Sequence, residues 1–146
     1  MPTVRKSAIV PQDCATLFAL VDDVEGYPRF LPWCPRTHVL QRDDEVTQAH
    51  IEIDFHGLKT ALTTRNLKQF PERMTLELIE GPFESFAGEW RFSPLGGNGC
   101  RVELALDYTL ASAFLDRVLA LAFGHIADTL VDRFVEEAAK AHAQRR

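Results

Sequence analysis

Hydrophobic positions follow two different periods along the chain, and these periods predict the order of its secondary structure. Residues 4–10 are typical of a β-strand. Pro11 is expected to open a short helix, whose buried face would carry Cys14, Leu17, Phe18 and Val21 at i, i+3, i+4 and i+7. Asp22, Asp23 and Gly26 should end this helix.

Apolar residues then alternate with polar ones in a series of runs separated by short turns. The predicted turns lie at residues 56–57, 71–72, 81–82 and 96–99. Strands joined by such turns form an antiparallel meander. The expected inward rows are Ala49, Ile51, Ile53 and Phe55; Leu58 and Leu62; Met74, Leu76 and Leu78; Phe86, Gly88, Trp90 and Phe92; and Val102, Leu104, Leu106, Tyr108 and Leu110.

The last part of the chain has a helical period instead. Residues 113–144 contain no proline and repeat apolar side chains every three or four positions, which predicts one long helix capped by Ser112. Residues 118–123 are apolar on nearly every side of that helix. Either the short N-terminal helices cover this part, or it meets the occupant or the gate of a cavity.

A proline-rich segment separates the first helix from the meander. Residues 27–35 carry three prolines, which exclude a long helix or a central strand and favour a short helical turn and an ordered loop. Tyr27, Phe30, Leu31 and Trp33 lie close together in it. They either pack over the open end of the sheet or form a gate that touches a membrane surface to collect ligand.

Length and composition indicate one ordinary globular domain over residues 1–146. The chain is 46% hydrophobic and 25% charged, with a net charge of −5, so we expect no DNA partner. We also expect no membrane-spanning helix and no secretory signal, and therefore a cytoplasmic protein. The three cysteines, Cys14, Cys34 and Cys100, are predicted to be reduced thiols. Nothing in the sequence indicates an oligomeric state.

The residues that usually carry catalysis or bind metals do not form a recognisable motif. None of the five histidines has metal-ligand spacing, although His125 lies in the apolar part of the long helix, where a buried ring is expected. His50, on the polar face of its strand, and His56, in a turn, are expected to be solvated. No nucleophile elbow or phosphate-binding glycine loop occurs. We therefore predict no catalytic residue, no metal site and no required cofactor.

Four segments carry a family resemblance, and they occur in order over almost the whole chain. They are 23–34 (DVEGYPRFLPWC), 81–83 (GPF), 88–95 (GEWRFSPL) and 126–134 (IADTLVDRF). The sequence resembles START-like proteins of the polyketide cyclase/dehydrase and lipid-transport group (the SRPBCC superfamily), especially their coenzyme-Q-binding and RatA-type branch. The fold implied is an α+β helix-grip: a curved seven-stranded antiparallel sheet around a long C-terminal helix, with two short helices after strand 1.

The resemblance implies three functions. Mitochondrial relatives are regarded as ubiquinone-binding proteins that support respiration, which implies a quinone or another polyisoprenoid lipid as ligand and transient contact with the inner membrane. A bacterial relative is described as a toxin that blocks association of ribosomal subunits. Some cyclase relatives transfer protons with pocket residues, a role for which Arg65, Asn66 and Arg91 are candidates here. Binding rather than catalysis is the expected activity.

Two sets of site residues follow from these expectations. A ribosome-facing basic surface would need folding to bring together Arg36, His38, Arg42, Arg65, Lys68 and Arg73; the alternative, which is favoured, is that these are scattered solubilising charges. A hydrophobic ligand cavity would be lined by Phe30, Trp33, Ile53, Phe55, Leu62, Leu76, Leu78, Phe86, Trp90, Leu104, Leu106, Leu119, Phe123, Ile126 and Leu130; the alternative is that these side chains form a filled core.

Overall fold

The computed structural model describes residues 3–97 and 99–144; Asn98, in the predicted turn at residues 96–99, lies outside the described residues. Seven strands and three helical segments follow one another. The strands are β1 (Thr3–Val10), β2 (Thr37–Arg42), β3 (Val46–Phe55), β4 (Leu58–Gln69), β5 (Arg73–Glu80), β6 (Phe83–Pro94) and β7 (Cys100–Leu110). The helical segments are α1 (Cys14–Asp22), a 3-10 helix (Val24–Arg29) and α2 (Ala113–Gln144).

All seven strands form one antiparallel sheet in the order β1-β7-β6-β5-β4-β3-β2. Strands β2 to β7 are a meander, and β1 completes the sheet by pairing with β7, from Thr3 opposite Asp107 to Val10 opposite Cys100. Register shifts in the β2–β3, β4–β5 and β6–β7 pairs mark bulges, which bend strands. The curved sheet and its long helix confirm the predicted helix-grip fold.

Helix α1 begins later than the sequence pattern suggested. Asp13, and not Pro11, precedes its first turn, because the Asp13 carboxylate accepts a hydrogen bond from the backbone N–H of Thr16 at 2.8 Å. The predicted apolar face is confirmed, since the four residues at helical spacing in α1 are its buried ones.

Helix α2 has the predicted bounds and the predicted cap. The Ser112 hydroxyl accepts from the Leu115 N–H at 3.1 Å, and the Ser112 carbonyl accepts from the Asp116 N–H at 2.9 Å. Within residues 3–97 and 99–144, no helix combines the length and apolarity needed to span a membrane.

The short N-terminal helices pack near the C-terminal part of α2, so they do not cover residues 118–123. The rings of Tyr27 and Phe30 contact Phe134 with centroids 5.3 and 5.2 Å apart. Leu121 is 81% exposed, whereas Phe123 on the inner side of the helix is buried. The interpretation that the short helices cover residues 118–123 is wrong, because their ring contacts with α2 lie at Phe134, about three helical turns beyond Phe123.

A network of charged side chains ties the short helices to the sheet. The carboxylate of Asp22, at the end of α1, accepts from Thr47 Oγ1 on β3 at 2.7 Å and from Lys68 Nζ on β4 at 3.1 Å. Arg42 on β2 donates to the Asp22 carbonyl and to both carboxylate oxygens of Glu25 at 2.6 to 2.7 Å. The bonds from Arg42 hold the pKa of the Glu25 carboxyl below its usual range. We call these five residues the Asp22 network.

We predict that Asp22→Asn lowers the free energy of unfolding, measured in urea, by about 2 kcal/mol, because it leaves a buried ammonium without its counter-charge. The Lys68 side chain is only 6% exposed. Asp128→Asn is the matched control, since it breaks the pair between Lys6 and Asp128, whose side chains are 41% and 66% exposed. A much smaller loss is expected there; equal losses in the two variants would contradict the role given to the network.

Candidate functional site

A cavity of about 120 Å³ lies between the concave face of the sheet and α2. Its third wall, which we call the roof, consists of α1, the 3-10 helix and residues 30–35. The sheet contributes Ile51, Ile53, Leu62, Thr64, Asn66, Met74, Leu76, Phe83, Phe86, Trp90, Leu104, Leu106 and Tyr108. Helix α2 contributes Phe123, Ile126, Ala127, Leu130 and Phe134, and the roof contributes Val21, Val24, Tyr27, Leu31 and Trp33.

The cavity has the size of a small ring. An engineered apolar cavity of roughly 150 Å³ in another protein stays dry and binds benzene or xenon. The 120 Å³ present here is somewhat smaller. The cavity therefore offers space for one ring or one short branched chain, well below the roughly 300–1,000 Å³ of pockets for drug-sized ligands.

Hydrogen bonds hold the roof in place. The Tyr27 hydroxyl donates to the Val21 carbonyl, and burial raises the pKa of this phenol far above its usual range. The Leu31 N–H donates to the Tyr27 carbonyl at 2.9 Å. The Asp54 N–H donates to the Trp33 carbonyl at 2.8 Å, which joins the loop to β3. Burial also raises the pKa of the neighbouring Cys34 thiol to about 11.

The roof turns its aromatic rings inward. Tyr27 and Trp33 are each only 8% exposed and line the cavity, so Trp33 does not present its ring to a membrane surface in this state. Phe30 is half-buried. Contact with a membrane stays a prediction, but Trp33 is better placed to contact a ligand.

Two buried polar atoms, on side chains that line the cavity, lack hydrogen-bond partners among the described residues. Among the described residues, Trp33 Nε1 and Asn66 Oδ1 are the buried side-chain atoms left unsatisfied. Most buried polar groups in proteins are paired, so an unpaired one requires an explanation such as a bound ligand or water. Asn66 lies opposite Thr47 in the β3–β4 register, on the inner face of the sheet.

The side chains that line the cavity include no carboxylate, imidazole, amine, guanidinium or thiol. Its ionisable groups are the phenols Tyr27 and Tyr108, and burial raises the pKa of each. Of the three candidates for proton transfer, Asn66 lines the cavity, whereas Arg65 and Arg91 are exposed and do not.

Eleven of the fifteen residues predicted to line a cavity do line this space. Their contact with a ligand stays a prediction. Phe30 packs on Phe134 instead, and Phe55, at the end of β3, lies 5.3 Å from the His125 ring. Leu78 is half-buried near Gly81 and pairs with Thr64, next to the bulge between Thr63 and Thr64. Leu119 is buried one helical turn before Phe123, where the cavity begins on α2.

Twelve other lining residues were not in the predicted cavity set, although Asn66 was a candidate for proton transfer. The two-residue period of β-strands could have identified Thr64 and Asn66, which share an inner face with Leu62, but their polarity argued against an apolar cavity position. Helical spacing could have identified Val21, Ala127 and Phe134. The roof residues after α1 follow no period that the sequence reveals. The full set is Val21, Val24, Tyr27, Leu31, Ile51, Thr64, Asn66, Met74, Phe83, Tyr108, Ala127 and Phe134.

The predicted basic surface is not contiguous. Arg42 and Lys68 converge on Asp22 at the inner face of the sheet, whereas Arg65 is exposed opposite Gln48 on the outer face. Two more cations are paired with acids: Arg36 with Glu52 at 3.3 Å and Arg73 with Glu89 at 3.3 Å. His38 is exposed on β2. The alternation of faces along each strand separates residues that the sequence grouped together.

The histidines differ in environment from the predictions. His125 is exposed rather than buried, and His50 is half-buried with Nδ1 2.9 Å from Thr63 Oγ1. His56 is exposed in the β3–β4 turn, as expected. In the part of the chain that the structure describes, no group of three or more histidine, cysteine or acidic side chains is arranged to hold a metal ion.

Comparisons with known proteins agree with this architecture. A family model described as polyketide cyclase/dehydrase and lipid transport matches residues 10–135. The ribosome association toxin RatA of Pseudomonas aeruginosa is 33% identical over 135 residues, which cover 92% of this chain and 94% of that protein. The mitochondrial coenzyme Q-binding protein coq10 of Schizosaccharomyces pombe is 24% identical over 146 residues, and the alignment covers 94% of this chain and 87% of that protein.

Among solved structures, a START superfamily protein from Mycobacterium smegmatis superimposes with a TM-score of 0.79 at 17% identity. The alignment covers 95% of this chain and 98% of that one. The likeness concerns the fold.

Proposed function

This chain belongs to the polyketide cyclase/dehydrase and lipid-transport family, and from that premise we propose that it binds a hydrophobic small molecule, a ubiquinone-like lipid, in the cavity between sheet and helix. The observation that carries the proposal is the apolar space of about 120 Å³ between the sheet and α2. A close-packed interior would have no such space. Support of respiratory electron transport is the role we propose for this binding.

The size of the cavity limits how such a ligand would fit. A five-carbon isoprenoid unit that buries about 100 Å² of apolar surface gains about 2.5 kcal/mol, before the cost of ordering. The cavity holds one ring or about one such unit, so a longer tail would extend beyond it.

Binding is favoured over catalysis by the lining. The family includes cyclases, but proton transfer in a pocket needs an acid or a base with a suitable pKa. The two phenols of the cavity have raised pKa values, and the Tyr27 hydroxyl is engaged by the Val21 carbonyl. The relative named as a coenzyme Q-binding protein supports a quinone among hydrophobic ligands.

We predict that a short-chain ubiquinone quenches the tryptophan fluorescence of the protein in a saturable manner, because both Trp33 and Trp90 line the cavity. Ala127→Leu should reduce this binding at least tenfold, since the added atoms occupy the cavity. The matched control is Ala87→Leu, the same substitution at an exposed position of β6.

Thermal unfolding of both variants shows whether they are folded. Quinone affinity that is unchanged in a folded Ala127→Leu variant would contradict binding in this cavity. Mass spectrometry of solvent extracts from the purified wild-type protein would identify any lipid that it retains.

We infer a second candidate function, association with the ribosome, from the RatA relative that is 33% identical over 92% of this chain. Any contact with ribosomal RNA would need basic side chains that are accessible. Arg65 and His38 are exposed and, by strand register, lie on the outer face of the sheet, away from the cavity. Arg42 and Lys68 belong to the Asp22 network, where each is paired with a carboxylate. These two cations are therefore less available than Arg65 to contact RNA.

We predict that overexpression of the protein shifts bacterial ribosomes from assembled particles to free subunits in sucrose-gradient profiles. Arg65→Glu should weaken the shift, because it reverses a charge on the outer face. Ala127→Leu should leave the shift in place, because its side chain lies in the cavity. Undisturbed profiles at high expression of the wild-type protein would remove this second candidate.

A further inference from the structure

The two unsatisfied polar atoms belong to side chains that line the same cavity from different walls. Trp33 comes from the roof and Asn66 from β4. Both residues are more than nine-tenths buried, with exposures of 8% and 5%. Neither Trp33 Nε1 nor Asn66 Oδ1 has a hydrogen-bond partner in the described structure. A buried polar group without a partner is unfavourable, so a guest that supplies one gains binding free energy.

The chemistry of the two atoms defines the guest. The indole Nε1 can only donate a hydrogen bond, and the Asn66 carbonyl oxygen can only accept one. A hydroxyl group offers a partner to each kind of atom, because its oxygen accepts while its proton is donated. A hydrocarbon satisfies neither, and a carbonyl oxygen could accept only from the indole unless the amide rotated to present its nitrogen.

The lining also carries the hydroxyl groups of Tyr27, Thr64 and Tyr108, and none of these is among the unsatisfied buried atoms of the described residues. The Tyr27 hydroxyl already donates to the Val21 carbonyl. On the inner face, Asn66 lies opposite Thr47 on β3 and Leu76 on β5, and the Thr47 hydroxyl is already engaged by the Asp22 carboxylate. Trp33 Nε1 and Asn66 Oδ1 are therefore the two described atoms for which a ligand oxygen would supply a missing partner.

We propose that the cavity selects ligands with a hydroxyl-bearing ring, such as a phenol or a quinol head group, and that this ring enters first. The ring oxygen accepts from Trp33 Nε1, and the ring hydroxyl donates to Asn66 Oδ1. The proposal rests on the proposed binding function and deepens it: it places the polar head of the ligand inside and the isoprenoid tail toward the exterior.

Phenol and toluene form the appropriate pair of probes, because they have nearly the same shape and both suit a cavity of about 120 Å³. In an apolar cavity without hydrogen-bonding groups, toluene binds more tightly, since phenol loses its hydrogen bonds to water. With the two partners proposed here, the wild-type protein should bind phenol at least as tightly as toluene in isothermal titration calorimetry.

Three variants separate hydrogen bonding from cavity shape. Trp33→Phe removes the donor and Asn66→Leu removes the acceptor, and each should lower the phenol-to-toluene affinity ratio about tenfold. The control is Trp90→Phe, which makes the same ring substitution at a lining residue whose indole nitrogen is not among the unsatisfied atoms. It should change both affinities by a similar factor and leave the ratio unchanged.

The outcomes distinguish this proposal from the proposed binding function. If the wild-type protein binds neither probe, both fail. If it binds toluene at least tenfold more tightly than phenol, the cavity binds apolar guests and the hydroxyl proposal is overturned. This comparison needs only the wild-type protein, so it decides even if a variant does not fold. A ratio that stays constant in folded Trp33→Phe and Asn66→Leu variants overturns the proposal as well.

Discussion

A single helix cannot fill the concave side of a curved seven-stranded sheet, and the site described above depends on this packing constraint. Aromatic pairs hold α2 against the sheet at two places: Phe83 with Phe123, at a centroid distance of 4.9 Å, and Trp90 with Phe134, at 5.3 Å. Between them the helix presents the small side chain of Ala127. The space that remains is the cavity.

An empty cavity of this kind is unfavourable for the folded state. At about 24 cal/mol per Å³, 120 Å³ corresponds to about 3 kcal/mol, and two unsatisfied polar atoms add to the cost. A guest that fills the space and pairs with both atoms recovers this free energy. The Asp22 network supports the same arrangement, because it connects the short helices of the roof to β2, β3 and β4.

Most of the fold could be predicted from the sequence because its elements have regular periods. Helix α2 was predicted to its exact bounds, since Ser112 caps it and no proline interrupts it. Strand β2 has no such signal: it is an edge strand whose side chains are mostly exposed. The cavity was predicted less completely than the fold. Asn66 and Thr64 are polar residues at inner positions, and Tyr27 and Leu31 belong to a segment without a period.

Diffraction from crystals held under xenon pressure tests most directly whether the sheet and α2 enclose an apolar space that admits a guest. Xenon enters apolar cavities of roughly this size. The structure predicts one strong xenon site, in contact with Phe123, Ala127 and Leu130 on α2 and with Leu76 and Leu106 on the sheet. Electron density that shows this space filled by the protein's own side chains, with no xenon between sheet and helix, would contradict it.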